Sequence, residues 1–476
     1  MALKLYNTLS RSITQFNPIK EKHAGLYVCG PTVYDHAHIG HARSAVAFDI
    51  LVRHLEATGH KVTYVRNYTD IDDKIIARAK EQGVTWEELA NKYILSFAED
   101  MEALNCLTPT YMPRATEYIK EMQQDVQGIL DKGYAYVADG DVYFDVESIK
   151  CYGKLSHREL DESEPGARVA VDERKKNPAD FALWKASKPG EPSWESPWGP
   201  GRPGWHIECS TMSARLLGPS FDIHGGGQDL VFPHHENEIA QSAALGRTMA
   251  NIWAHNGFVN INNEKMSKSL GNFFNIKDII KLWPAEVLRF FLLASHYRSP
   301  IDYSEDALNE SRKALERIYR TVEAGRAYLQ GKGQETGSEG EVAADFRNKF
   351  NCAMDDDLNT SQALGYLFDV VHLINREISE DNKSQVSELY SLLLYMGSVF
   401  GLKLDRPEVF FSDLDKVKFG SVETGLSKEL IEEKIESRNK ARESKNWAEA
   451  DRIRDELTAL GVILEDRGGK TTWRFS

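Results

Sequence analysis

The 476-residue sequence predicts an α/β chain: a parallel-sheet domain split by an insertion, then an α-helical bundle, then a small mixed α/β C-terminal domain. Three observations carry that prediction. A strand–helix–strand pattern opens the chain. A second one returns after about residue 220. A long helical pattern follows from about residue 304.

Residues 24–30, AGLYVCG, form an apolar run of strand length. HIGHARSAVAFDILVRHLEATGH follows, with Val46, Ile50, Leu51 and Leu55 at helical spacing, and KVTYVRN then reads as a second strand. A βαβ unit of this length implies parallel strands. WEELANKYILSFAEDMEAL is helical and acidic, and GYAYVADGDVYFDV reads as a hairpin turning at Asp139-Gly140. Residues 186–204, rich in Pro, Gly and Trp, predict a loop. FDIHGGG and NIWAHNGFVN are strands again, with a helix between them. GKGQETGSEG (331–340) is a break in the helical region, and the periodicity fades over about 405–425, which predicts a linker. A helical pair and a strand pair (GVILED, TTWRF) end the chain. The resulting divisions are 1–107, 108–200, 201–300, 301–405 and 406–476.

Composition narrows the function classes. With 41% hydrophobic and 27% charged residues this is an ordinary globular chain, without an apolar run of membrane-spanning length. The N-terminus, MALKLYNTLSRS, lacks a signal-peptide core, so the cytoplasm is the expected compartment. Cysteines at 29, 106, 151, 209 and 352 are too few and scattered for a disulfide framework; core thiols or metal ligands are the expectation. The net charge of -14 argues against a chain-wide basic field, although residues 426–476 balance 11 Lys and Arg against 11 Asp and Glu.

Three constellations bear chemistry. The first is LVFPHHENEIAQS, Leu230–Ser242. A zinc-protease helix would need His four residues after His235, and Ile239 stands there. Pro233 favours a first helical turn. His234 and Glu238 then share one helix face at i and i+4 and can supply two corners of a metal site. Thiolates are the strong candidates for the others. Cys29 ends the first strand, and Cys209 lies in GWHIECS at a helix start; in a parallel sheet, strand ends and helix starts meet at the ligand-binding edge. Core thiols and a hydrogen-bonded histidine explain the same residues equally well at this point. The second constellation is His38-Ile39-Gly40-His41, where two imidazoles and a helix N-terminus can hold phosphates and Gly40 admits close approach of a nucleotide. The third is KMSKS, Lys265–Ser269, whose lysines can neutralise a departing pyrophosphate.

The whole chain resembles the cysteinyl-tRNA synthetases, of the class I aminoacyl-tRNA synthetases. The likeness is carried by YVCGPTVYDHAHIGHAR, NYTDIDDKI, GWHIECS, HGGGQDLVFPHHENEIAQ, HNGFVNINNEKMSKSLGN, DDDLNTSQALG and KNWAEADRIRDELTALGVILEDRGGKTTWRF. HGGGQDLVFPHHENEIAQ is specific to that family, whereas the HIGH and KMSKS motifs mark only the class. The resemblance implies a Rossmann-type catalytic domain split by a connective insertion. It implies one zinc per chain on Cys29, Cys209, His234 and Glu238, with His235 a neighbour rather than a ligand. The zinc would take the thiolate of L-cysteine. An ordinary pocket separates cysteine from near-isosteric serine by only about a hundredfold, whereas zinc prefers sulfur strongly. That accounts for an insertion with no sign of a second hydrolytic site. Activation with ATP and Mg²⁺ would give cysteinyl-AMP, with His38, Gly40 and His41 on the nucleotide and Lys265 and Lys268 on pyrophosphate. Thr69, Trp205 and Asp229 are candidates for cysteine and ribose contacts; Trp205 as a core aromatic and Asp229 as a helix cap are the plain alternatives. Cysteine tRNA would be held by the helical region and by residues 426–476, where Trp447, Arg452 and Arg454 could face anticodon bases. A monomer without membrane contact is the expectation. Two other readings are a ligase joining cysteine to a small amine, as mycothiol-type enzymes do, and a non-enzymatic zinc protein that binds RNA.

Overall fold

The computed structural model describes residues 2–158, 173–261, 264–265, 274–332, 340–420, 428–460, 462–467 and 470–475. The chain divides into two compact units, Met1–Pro407 and Glu408–Ser476.

The first unit is built on a four-stranded, all-parallel sheet. Its strands are β1 (His23–Val28), β2 (Lys61–Arg66), β3 (Ser220–Gly227) and β4 (Met249–Asn256), in the order β4-β3-β1-β2. Between β1 and β2 runs α1 (Ile39–Ala57), and α2 (Trp86–Ala103) follows β2. α3 (Trp205–Leu217) leads into β3, and α4 (Glu236–Ala244) joins β3 to β4. The strand order reverses at β1, so β1 and β3 part at their C-terminal ends and leave a crevice there. The expected hairpin forms as Ala135–Ala138 and Asp141–Phe144, turning through Asp139 and Gly140 at φ 52° and 85°. It heads a four-stranded antiparallel sheet that also takes in Phe181–Ala186 and Gly201–Pro203. The stretch 186–204, expected to be loop throughout, therefore contains a short strand; its Gly and Pro hide the strand from a propensity reading.

Four helices, Glu305–Lys332, Glu341–Asp355, Thr360–Ser379 and Lys383–Val399, make the helical region, and residues 333–339 of the expected break lie outside the described residues. In the second unit, Ile431, Ile435, Ile453, Leu457, Val462 and Leu464 form a core of their own. The expected linker needs correction: Pro407–Gly420 is a helix. Proline at its first position suits a helix start, while adjacent Phe410 and Phe411 blur the apolar period.

Buried ions fasten α1 to the rest of the first unit. Arg43 gives its guanidinium to the carbonyls of Leu292 and His296 at the end of α5 (Ala285–Leu293). Arg289, on α5, bonds Asp49 on α1 and the carbonyls of Leu104 and Phe400. Burial alone would raise the Asp49 carboxyl, but Arg289, Arg53 and the Leu107 amide outweigh it and hold it below its ordinary value. A depressed carboxyl stabilises the fold above its unfolded pKa, and that contribution is lost as pH falls through the folded value. Arg289→Met removes the fully buried partner of Asp49 and leaves the carboxylate to Arg53 and the Leu107 amide. It is expected to cost up to about 3–5 kcal/mol at pH 7, the range for a buried charge left wholly unpaired. The loss should shrink as pH falls, because a carboxyl that has lost one of its cations protonates more readily. Urea unfolding of both proteins at pH 7 and at lower pH checks it; a loss under about 1 kcal/mol at pH 7 would refute the pairing argument.

Candidate active site

The crevice at the ends of β1 and β3 opens into a cavity of about 570 Å³. Cys29, His38, Gly40, His41, Trp205 and Asp229 line it. His38 is the N-cap of α1: its Nδ1 accepts from the Gly40 amide at 3.1 Å, and His41 Nδ1 accepts from the His38 amide at 3.2 Å. The two rings stack at 3.8 Å. Ala37 and Ile39 pair with the chain just after the KMSKS loop, through Ile276 N to Ala37 O at 2.9 Å and Ile39 N to Phe274 O at 3.1 Å. This places a capped helix start, with its dipole and amide donors, against the residues that follow the KMSKS motif in sequence. Lys265 closes a two-residue strand, Glu264–Lys265, paired with Asn260–Ile261. Lys268 lies outside the described residues.

On the other side of the crevice four side chains converge. One donor atom from each of Cys29, Cys209, His234 and Glu238 lies within 4.8 Å of the others. Three of these residues are fully buried and Cys29 partly so. β1 delivers Cys29 just past its last residue, the first two turns of α3 deliver Cys209, and the turn before α4 delivers His234. The regular helix begins only at Glu236, after the π-helical turn Val231–His235 with its kink at Phe232, yet the i and i+4 relation survives: His234 Nε2 stands 3.2 Å from Glu238 Oε1. Cys29 Sγ approaches the same oxygen at 3.5 Å. Burial pushes both thiols and the Glu238 carboxyl up and His234 down. Each group is thereby biased toward its neutral form, and a dication would reverse that bias for the thiols and the carboxyl. Two thiols, an imidazole and a carboxylate are a donor set suited to zinc.

A second set, Cys29, His224, His235 and Glu238, meets the same distance limit. Within it His224 Nε2 bonds Glu238 Oε2 at 2.9 Å and His235 Nε2 stands 3.9 Å from Glu238 Oε1, while His235 Nδ1 bonds His255 Nε2 at 2.8 Å. His234 in turn meets His206 at 3.0 Å between Nδ1 atoms, and burial pushes His206 and His255 down to about 3. These surrounding histidines escaped the sequence reading, although His206 and His224 stand in GWHIECS and HGGGQD; partners from different elements leave no mark in spacing.

The remaining candidates separate. Trp205 is 37% exposed and stacks on His234 at 4.2 Å, so it roofs the four-residue cluster rather than filling a core. Asp229 is exposed at the cavity wall, and no capping bond from it is formed. Thr69 is buried, donates its hydroxyl to Glu208 at 2.5 Å and is absent from the cavity lining. In the second unit Trp447 is 59% exposed. Arg452 is paired with Glu449 and Glu456 on its own helix, and Arg454 is exposed beside it.

The fold is that of the class I aminoacyl-tRNA synthetases. It is similar to Mycobacterium tuberculosis methionyl-tRNA synthetase in complex with methionyl-adenylate, with TM-score 0.60 at 16% identity over 83% of this chain and 93% of that one. It is similar also to the Agrobacterium radiobacter K84 LeuRS–tRNA–LeuAMS ternary complex, with TM-score 0.60 at 12% identity over 82% and 86%. A family model for the class I (C) catalytic domain of tRNA synthetases matches residues 15–313, a DALR-domain model matches 349–405, and a model of the cysteinyl-tRNA ligase anticodon-binding domain matches 431–474. The cysteine–tRNA ligases of Geobacter metallireducens and Geobacter sulfurreducens are each 52% identical to this chain over the full length of both partners. The chain belongs to the cysteine–tRNA ligase family, enzymes that attach cysteine to tRNA. A small-amine ligase and a non-enzymatic RNA-binding protein find no support.

Proposed function

We propose that the cavity activates L-cysteine with ATP and that Cys29, Cys209, His234 and Glu238 hold one zinc ion beside it. The carrying observation is the approach of those four donor atoms to within 4.8 Å of one another, with Cys29 lining the cavity that the start of α1 bounds. A zinc ion held there would supply a soft Lewis acid that favours the thiolate of cysteine over the hydroxyl of serine. The chain's own residues do the rest. His38, Gly40 and His41 hold the triphosphate of ATP, which enters with Mg²⁺, at the helix N-terminus. The cysteine carboxylate attacks the α-phosphorus and pyrophosphate leaves, its growing charge met by Lys265 and Lys268. A hydroxyl of the terminal adenosine of tRNA then attacks the acyl carbon and AMP departs. Trp205 and Asp229 border the bound cysteine and ribose; Thr69 acts at one remove, through Glu208. Residues 301–405 and 406–476 bind the tRNA, and the tRNA and ATP the reaction needs support the cytoplasm as its compartment.

Metal analysis of the purified protein is expected to find one zinc per chain. ATP–pyrophosphate exchange should run with cysteine and hardly with serine. Exchange that serine drives as well as cysteine would sink the thiolate argument. Lys268→Ala is expected to slow exchange by roughly tenfold to a thousandfold, the range for losing one stabiliser of transition-state charge, and to leave the zinc in place. An unchanged exchange rate removes Lys268 from the mechanism.

A further inference from the structure

Tyr27 stands two residues before Cys29 on β1. The two-residue period of a strand turns both toward the face where Ile207 and Cys209 of α3 pack. Its ring is wholly buried, edge-on to His224 at 5.3 Å between centroids. Its hydroxyl faces the Cys209 sulfur, with Cys29 and Glu238 near, and makes no hydrogen bond of ordinary geometry. Such a hydroxyl is costly to bury, and phenylalanine would fill the same space without it.

The surroundings of the two thiols indicate its use. Cys29 Sγ has Glu238 at 3.5 Å. Cys209 Sγ has Asn67 Oδ1 at 3.7 Å, and that oxygen is already anchored by the Gly30 amide at 2.9 Å. An amide oxygen can accept from a thiol but offers nothing to a thiolate. The Cys29 thiol and the Tyr27 hydroxyl are the donors within reach of an ionised Cys209, and once Cys29 is itself a metal-bound thiolate only the hydroxyl still has a proton to give.

We propose that Tyr27 is a positioning residue of the metal centre: its hydroxyl donates a hydrogen bond to the Cys209 sulfur when that sulfur is a metal-bound thiolate. This rests on the zinc reading above. The bond fixes the sulfur's direction and draws electron density from it, which leaves the metal more receptive to the substrate's thiolate. Outer hydrogen bonds of this kind typically change metal affinity by about 10–100-fold.

The test loads cobalt(II) into the full-length wild type, Tyr27→Phe and Tyr64→Phe; Tyr64 is a second buried tyrosine whose hydroxyl has no formed hydrogen bond, on β2. Tyr27→Phe is expected to move the thiolate-to-cobalt charge-transfer band to longer wavelength. It should also weaken zinc about 10–100-fold in competition with a chelator. Tyr64→Phe should do neither. 3-Fluorotyrosine placed at position 27 keeps the ring and makes a stronger donor, so its band should move the other way. If Tyr27→Phe is unfolded by circular dichroism, the fluorotyrosine protein decides: a shifted band supports the proposal and an unmoved one overturns it. A band that Tyr27→Phe leaves in place, or that Tyr64→Phe moves equally, overturns this proposal alone. A wild type with no sulfur-to-cobalt band overturns the zinc reading and the proposal with it.

Discussion

Cys209→Ser is expected to lower the metal content below one per chain and to cut cysteine-driven pyrophosphate exchange by about a thousandfold. Burial holds the Cys209 thiol above its ordinary value, so the uncharged form is preferred until a cation arrives. Metal binding pulls the proton off a thiol readily and off a serine hydroxyl hardly at all. The variant thus loses one anionic ligand of the four. A metal acting as Lewis acid contributes several kcal/mol to reaction, and a thousandfold corresponds to about 4 kcal/mol. The fold should survive, because serine is slightly smaller and its hydroxyl can take the place of the thiol at Asn67 Oδ1. Metal analysis, exchange kinetics and circular dichroism on one preparation check the three statements. The same experiment separates the two donor sets. If Cys209→Ser keeps its metal while His235→Asn loses it, the ion sits on Cys29, His224, His235 and Glu238 instead. Full exchange by a metal-free Cys209→Ser protein would end the metal reading altogether.

Local chemistry made much of this molecule legible in its sequence, and long-range register made the rest invisible. AGLYVCG and KVTYVRN read as strands because both are apolar runs flanking a helical period, and they pair in parallel as β1 and β2. The start of α1 was readable because a histidine pair and glycine stand where the apolar period begins. Residue type and place made Cys29, Cys209, His234 and Glu238 candidates, and the family resemblance joined them into one set. Their mutual approach could not be read, since it depends on how β1, α3 and α4 pack. Tyr27 shows the limit most directly. Its partner across the sheet, His224, is set by a parallel register of 197 positions' separation, Tyr27 opposite His224. No window on one strand contains that information. Thr69 could be named as a candidate from its motif, but not that the buried carboxyl of Glu208 takes its hydroxyl. The helix Pro407–Gly420 failed differently, because its paired phenylalanines disrupt the period on which the reading depends.

Removing residues from 406 onward is expected to leave cysteine-dependent pyrophosphate exchange within about twofold of the intact protein and to lower tRNA charging about a hundredfold or more. Every residue assigned to adenylate formation falls between Cys29 and Lys268, and the cavity lining ends at Val259. The deleted part holds a compact unit with its own core of Ile431, Ile435, Ile453, Leu457, Val462 and Leu464, and the cut takes only Arg406 and Pro407 from the first unit. Domains joined in this way usually fold independently. The lost segment matches an anticodon-binding domain. Base contacts are worth about 1–3 kcal/mol each, so losing two of them accounts for the drop in charging. Within the segment the two arginines should not be equal. Arg452 is held by Glu449 and Glu456, whereas Arg454 and the exposed Trp447 offer a cation and a stacking face. Trp447→Ala and Arg454→Ala should therefore weaken charging more than Arg452→Ala does. Charging by the intact protein should also fall as salt rises, because each phosphate contact releases counterions, and the truncated protein should show a shallower dependence. Initial rates of charging and of exchange, measured for both proteins across a salt series, distinguish the outcomes. A truncated protein that charges tRNA as well as the intact one would show that the segment does not hold tRNA. A truncated protein that has lost exchange as well would show that the catalytic unit needs the segment to fold.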